Sequence, residues 1–346
     1  MRLLLIRNDN IGDLVCTAPL IHVLREAYPD ACIDLLGSSY NVEILKYDTA
    51  LSNIWSYSKS KHLHGFFPKI KACIDKALLL LRLRFRCYDL IIIATPLFNE
   101  RTMNLARWIS SQKIYAAMPD RPLKSALPKG YHPVTIDHNE SHVLQVLGYA
   151  GALGINAPTP ESIGLLLTKE EKKVACIERN AIPGEKERPV LGLQLSARRP
   201  KQRWLYAQWM ELIEIMLPHV RLRLFWSPGT ALSLQHQGDD ELAASLVAAF
   251  PIDSFSAQPT TCLRQLMIGF WGCDLVVGPD GGAMHVAAGL DITTLTLFGD
   301  VDPIIWSPYS KKSHFMKSPS ETLLDLDPKK VAIRARALIP FSLGIS

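Results

Sequence analysis

Leu3-Leu4-Leu5-Ile6-Arg7-Asn8-Asp9-Asn10-Ile11-Gly12-Asp13-Leu14 decides the fold. Its opening apolar run, Leu3 to Ile6, reads as a strand buried on both faces. A polar loop with one glycine follows, and apolar residues near helical spacing then run from Leu14 to Tyr28, stopped by Pro29-Asp30. Cys32 to Gly37 reads as a second buried strand and Asp89 to Ala94 as a third. Short buried strands separated by helices predict a parallel α/β sheet.

The pattern restarts after a polar, proline-rich stretch. The chain changes character over 157–188, where a Glu- and Lys-rich helix near 169–179 is followed by a solvated turn, Pro183 to Pro189. Strands then read at Pro189–Leu195, Arg221–Trp226, Cys273–Gly278 and Ile292–Phe298. Helices read at Trp204–Leu217, Asp239–Phe250 and Gly282–Leu290, and Asp327-Pro328 opens a last one. This predicts two Rossmann-like, doubly wound α/β domains facing a cleft, at 1–165 and 166–346, with the last helix (about 327–339) packing back on the first domain. Ligands in such sheets bind outside the carboxyl ends of the strands.

Composition narrows the class. The 346 residues suit two domains, and 48% apolar with 21% charged residues excludes a disordered chain. A net charge of +5 fits an anionic partner, such as a nucleotide, a phosphorylated lipid or a membrane surface, and does not call for nucleic acid. The seven cysteines are odd in number and hold no C-x-x-C pair, which speaks against a disulfide framework or structural zinc and points to a reducing compartment. No secretory leader or membrane-spanning run is evident, so a cytoplasmic location is expected. Ala77 to Arg86 reads as an amphipathic helix, with a face resting on an anionic membrane as the alternative.

Two strand-to-helix junctions carry the chemistry. In the first, Gly12 permits a tight turn, and Asp13 stands at the start of a helix. That carboxylate either caps the helix or serves as a general base toward a hydroxyl, with Asp9 as its competitor. The absence of G-x-G-x-x-G argues against a dinucleotide site. In the second, Gly278-Pro-Asp-Gly-Gly-Ala-Met-His-Val-Ala-Ala288, Gly281 and Gly282 leave amides open at a helix start, where a phosphate is favoured. His285 then lies in the first turn within reach of a phosphate or ribose, and Asp280 bonds a sugar hydroxyl or holds the loop. Asp300-Val-Asp302 spells D-x-D but reads as an Asp- and Pro-rich turn.

Leu3 to Asp13 with Thr17-Ala-Pro19, then Asp280 to Ala288, Leu297-Phe-Gly-Asp-Val-Asp-Pro303 and Trp306-Ser-Pro-Tyr309, resemble the lipopolysaccharide heptosyltransferases of glycosyltransferase family nine, in order and over nearly the whole chain. The resemblance implies the GT-B arrangement, an inverting mechanism without metal or cofactor, and an ADP-heptose donor held mainly by the second domain. It implies Asp13 as the base, and Asp280, Gly281, Gly282, Met284 and His285 as donor-binding. The family's basic loop is Ser196-Ala-Arg-Arg-Pro-Lys-Gln-Arg-Trp204 here, with Gln202 where a phosphate-binding lysine is usual, so Lys201, Arg199 or Arg203 supplies the charge, with Lys201 foremost. A ribose-binding glutamate usual after the strand ending at Trp226 is absent, and Asp239, Asp240 or Glu241 stands in for it.

Asn10 and Gly12 fall on the acceptor side with Asp13. Lys59, Lys61, Lys69, Lys71, Arg101, Arg121 and Lys124 are cations of the first domain suited to an anionic glycolipid acceptor, with Lys61, Arg121 and Lys124 foremost. Three rivals remain at this point: another sugar in capsule or O-antigen synthesis, a nucleotide-sugar epimerase, and a non-catalytic binding homologue.

Overall fold

The computed structural model describes residues 1–58, 66–110, 112–124, 126–230 and 238–339, with side chains from 70 onward in the helix that begins at Phe66. The chain forms two compact units, Met1–Pro160 and Glu161–Ser346.

The first unit is a parallel six-stranded sheet. Its strands are β1 (Arg2–Ile6), β2 (Cys32–Ser38), β3 (Asn53–Tyr57), β4 (Leu90–Ile93), β5 (Ile114–Ala117) and β6 (Tyr131–Val134), ordered β3-β2-β1-β4-β5-β6. Its helices are α1 (Ile11–Val15), α2 (Ala18–Ala27), α3 (Phe66–Phe85), α4 (Glu100–Ile109) and α5 (His142–Ala152). Leu3 to Ile6 of β1 are fully buried, as a central strand covered on both faces requires. The single helix read over 14–28 is two. Asn10 and Asp13 form a capping box that starts the chain turning at Ile11, and Pro19 resets it in the first turn of α2.

The second unit repeats the plan with β7 (Val190–Gln194), β8 (Arg221–Trp226), β9 (Ser256–Pro259), β10 (Leu275–Pro279), β11 (Thr293–Phe298) and β12 (Ser313–Lys317), ordered β12-β11-β10-β7-β8-β9. Its helices are α6 (Lys169–Asn180), α7 (Tyr206–Met216), α8 (Asp240–Ala248), α9 (Leu263–Trp271), α10 (Gly282–Gly289), α11 (Pro303–Trp306) and α12 (Pro328–Leu338). Counted from its own first strand, each sheet has the order 3-2-1-4-5-6 of the doubly wound fold. The chain reverses direction between β1 and β4 in one sheet and between β7 and β10 in the other. Those crevices are the ligand positions of the fold.

One boundary differs from the sequence reading. The units divide at 160/161 rather than 165/166. Ser162 bridges Ser310, Ile163 is buried, and the Leu165 amide donates to Gly289 O at 2.8 Å, so these residues are bound into the second unit. Val331, Ala332 and Ala335 of the last helix, with Ile339 after it, are buried in the second unit's core with Trp209, Leu212 and Leu297. Among the described residues no helix is long and apolar enough to cross a membrane, and all seven cysteines are free thiols.

Candidate active site

The crevice of the first unit is organised by Arg7, the residue after β1. Its side chain is fully buried, and Nη1 donates to the Ala94 carbonyl just beyond β4, which ties the two strand ends together. Nε donates to Asp9 Oδ1 at 2.9 Å and Nη2 to Asp13 Oδ1 at 3.0 Å. His142, which opens α5, places Nε2 at 2.8 Å from Arg7 Nη2 and 3.2 Å from Asp13 Oδ1. Carrying a lone pair, that nitrogen accepts from Arg7; carrying a proton, it donates to Asp13. Asp13 Oδ2 accepts from the Asn10 amide at 3.1 Å and from Asn10 Nδ2 at 2.8 Å.

The Asp13 carboxyl is thus a capping group and a buried anion held by hydrogen bonds at once. Burial alone would raise its pKa, but the His142 hydrogen bond, the Arg7 charge and the Asn10 contact hold it well below the usual carboxylate range. Burial pushes neighbouring Asp9 upward, with Arg7 opposing. Two carboxyls on one guanidinium are driven apart in acidity, a pattern common at reactive sites.

In the second unit, α10 begins at the carboxyl end of β10. Gly281 is its N-cap and supplies no side-chain bond, so the first amides of the helix have no capping side chain. The Gly281 backbone is extended (φ 166°), and a Cβ there would meet nothing closer than Pro279 O at 4.0 Å. Packing therefore does not require glycine at 281, and the bare amides lie open to an anion. Asp280 donates its amide to Leu297 O at 2.9 Å, and its carboxyl is pushed up to about 6 by burial, with Arg199 opposing and Asp300 adding. Met284 is fully buried with Sδ against Gly278, and His285 is also buried.

The basic loop follows β7 and so shares this crevice. Gln202 is buried; its Nε2 donates to Asp300 Oδ1 at 2.8 Å, and its Oε1 accepts the Gly299 amide at 3.0 Å. A Cβ at Gly299 would lie 2.8 Å from Lys201 O and 3.0 Å from Glu321 O, so glycine lets the loop close on the end of β11. Lys201 Nζ is paired at 2.6 Å with Glu321 Oε2 at an exposed position. Arg203 donates to Ala197 O at 2.7 Å and to Asp239 Oδ2 at 3.1 Å. Arg199 is exposed, and its charge reaches the Asp280 carboxyl.

The acids weighed for the ribose are engaged locally. Asp239 also accepts from Ser196 Oγ at 2.5 Å, while Asp240 accepts from Trp226 Nε1 at 2.7 Å and the Gly229 amide at 2.8 Å. Glu241 is exposed in the first turn of α8. Asp302 caps α11 through the Ile304 amide at 2.9 Å. Among the described residues no group of three or more His, Cys, Asp or Glu side chains is arranged to hold a metal.

Gly12 is buried in α1, and Asn10 is its N-cap. Arg121 and Lys124 are exposed in the segment after β5, which leaves the sheet at the same edge as β1, and the Lys124 amide donates to Glu100 Oε1 at 3.1 Å. Exposed Arg101 lies in the first turn of α4 and exposed Lys71 in α3. Lys59, Lys61 and the Lys69 side chain lie outside the described residues. Arg7, His142 and Gln202 were given no working part from the sequence. A charge directly after a buried strand signals an internal counter-ion and points to Arg7; nothing in the sequence links His142 to it across 135 residues.

Comparison with known proteins gives this geometry a family. The model of glycosyltransferase family 9 (heptosyltransferase) matches residues 80–331. Lipopolysaccharide heptosyltransferase 1 of Pseudomonas aeruginosa is 25% identical over 327 residues, 90% of this chain and 82% of that protein. The Escherichia coli K12 protein of the same name is 22% identical over 98% of this chain and 100% of its own length. The fold is shared with E. coli heptosyltransferase WaaC, solved with ADP, at a TM-score of 0.78 and 19% identity over 98% of this chain and 100% of that one. E. coli ADP-heptose LPS heptosyltransferase II follows at 0.75 and 20%, covering 98% of each chain. With a match over most of its length, and both sheets wired alike, the chain is a glycosyltransferase of family 9, the heptosyltransferases.

Proposed function

We propose that the enzyme moves a heptose from an ADP-activated donor to a hydroxyl of a lipopolysaccharide-core acceptor, with inversion and without a metal ion. The observation that carries this reading is the second unit's crevice, where the uncapped start of α10 and the cationic loop after β7 leave the sheet side by side. Amides and guanidinium groups fixed there before reaction stabilise charge growing on a departing diphosphate. Arg199 is the loop cation best placed to meet it, since Arg203 is bonded inward and Lys201 is drawn to Glu321. His285 and Asp280 complete the donor side.

Asp13 takes the proton of the acceptor hydroxyl as that oxygen bonds to the anomeric carbon, from the face opposite the breaking bond to the diphosphate. Arg7 and His142 keep the carboxylate ionised until then. Arg121, Lys124 and Lys61 attract an anionic glycolipid. The protein works in the cytoplasm, at the inner face of the membrane.

A thermal-shift panel with ADP-, UDP-, GDP- and CMP-sugars tests the donor, because a ligand of the folded state raises its melting temperature. Stabilisation by ADP-heptose above the others, with transfer to a delipidated core acceptor, is the expected result. Preference for another nucleotide overturns the donor; conversion of the donor with no acceptor present indicates an epimerase.

A further inference from the structure

Helix α3 is apolar on two opposite faces. Its inner face carries buried Leu83, with Leu79 and Leu80 packed against the first unit's core. Its outer face carries Ile70, Ile74, Leu78, Leu81 and Phe85, exposed by 41%, 54%, 49%, 42% and 79%. Those spacings of three and four residues keep all five on one stripe. At about 100° per residue the stripe points directly away from the core-facing side chains. A continuous apolar row is not an ordinary surface, since exposed hydrophobics are normally scattered.

Cations border the stripe on both sides. Exposed Lys71 and Arg82 lie along one margin and Arg84 along the other, with Asp75 as the acid among them. Arg84 also stacks over the ring of Trp108 at 5.6 Å and donates to its carbonyl, and Trp108 is 41% exposed. An exposed indole beside a guanidinium suits the boundary between hydrocarbon and charged headgroups.

We propose that this face of α3 docks on an anionic lipid bilayer. The helix runs about 30 Å and presents a convex ridge rather than a groove, which fits a plane. A second copy is the weaker occupant, because two-fold pairing of the ridge would set Lys71, Arg82 and Arg84 against themselves. Apolar side chains enter the headgroup boundary while the flanking cations meet lipid phosphates. The ridge starts at the sheet edge where β3 hands over to α3, the edge that also bears Asp13. For its purpose the inference rests on the lipid-linked acceptor proposed above, and for its evidence on the helix face alone.

Co-sedimentation of the full chain with vesicles tests it. Wild-type protein is expected to pellet with phosphatidylglycerol-containing vesicles and far less with pure phosphatidylcholine. Leu81→Ser/Phe85→Ser should weaken that binding about tenfold or more, and Arg82→Glu/Arg84→Glu about tenfold with a reduced salt dependence. Both variants should keep the wild-type melting temperature, ADP affinity and turnover of a delipidated acceptor. Wild-type protein that stays in the supernatant, or an apolar variant that pellets like wild type, overturns the proposal. So does a dimer in solution that Leu81→Ser/Phe85→Ser dissolves. Failure of sugar transfer with vesicle binding intact would instead count against the proposed reaction alone.

Discussion

Arg7 and Asp13 form a buried ion pair at 3.0 Å across the first turn after β1, with the arginine fully enclosed. The same guanidinium binds Asp9 and the Ala94 carbonyl, so one side chain fixes both carboxyls and the neighbouring strand end. Removing one partner of a buried pair leaves an uncompensated charge. Arg7→Met should therefore cost about 3–5 kcal/mol in denaturant unfolding. A loss under about 1 kcal/mol would mean that the guanidinium is not enclosed as described.

The same pair sets an acid limit. The folded-state pKa of Asp13 lies below its unfolded value near 3.8, so its stabilisation is present above that value and is lost as pH falls below it. In Asp13→Asn the acid limb of the stability curve should flatten. An unchanged limb would remove Asp13 from the acid response.

Turnover should separate the two carboxyls. Asp13→Ala is expected to lose about 10²–10⁴ in kcat while ADP affinity by calorimetry stays within error. Near-wild-type turnover would move the base elsewhere, with Asp9→Ala the next variant to assay. His142→Phe tests the positioning nitrogen: it should lower kcat and shift the pH-rate profile with little change in donor KM.

Asp280 has the opposite sign. Its folded pKa of about 6 lies above the ordinary value of 3.8, so its contribution is most favourable below pH 4 and is lost as pH rises through 6. Asp280→Asn should accordingly raise stability at pH 8 by up to about 3 kcal/mol relative to its effect at pH 4. Equal effects at both pH values would contradict the burial argument. A stabilised variant with weakened donor binding would mark the carboxylate as kept for function.

On the donor loop, Arg199→Ala should raise donor KM more than Lys201→Ala. Gln202→Ala should act through the fold, costing about 1–3 kcal/mol because the Gly299 amide and Asp300 lose their bridge. Equal, negligible KM changes for both cations would take the loop out of donor binding.

Gly281→Ser should leave the melting temperature unchanged, since its Cβ has open space and its backbone is extended. A marked drop would show that packing, not ligand access, keeps the residue small.

The central strands were legible because burial on both faces leaves unbroken apolar runs such as Leu3–Ile6 and Leu275–Val277. Edge strands were not: β6 contains Pro133 and β9 ends in Pro259, residues an edge tolerates because one side needs no ladder bonds. The outer face of α3 was legible in part: Ala77 to Arg86 offered a membrane-resting face as an alternative, but not its extension back to Ile70. Apolar residues on opposite sides of a helix cancel in any test for one-sided amphipathicity. At the site, the strand-to-helix motifs showed where Asp13 and Asp280 would stand, but not what surrounds them. His142 reaches Asp13 only through the stacking of α5, and Gln202 reads as a polar loop residue until β11 brings Gly299 beneath it.

Because both halves are wired in one order, the loops after β1 and β4 have direct counterparts after β7 and β10. Each half thus has its own crevice on its own scaffold, with a separate core behind each. If the donor and acceptor sites are divided as proposed, selectivity for one substrate can drift by substitution in one scaffold while the other keeps its chemistry, and chimeras cut at 160/161 should inherit their two specificities independently.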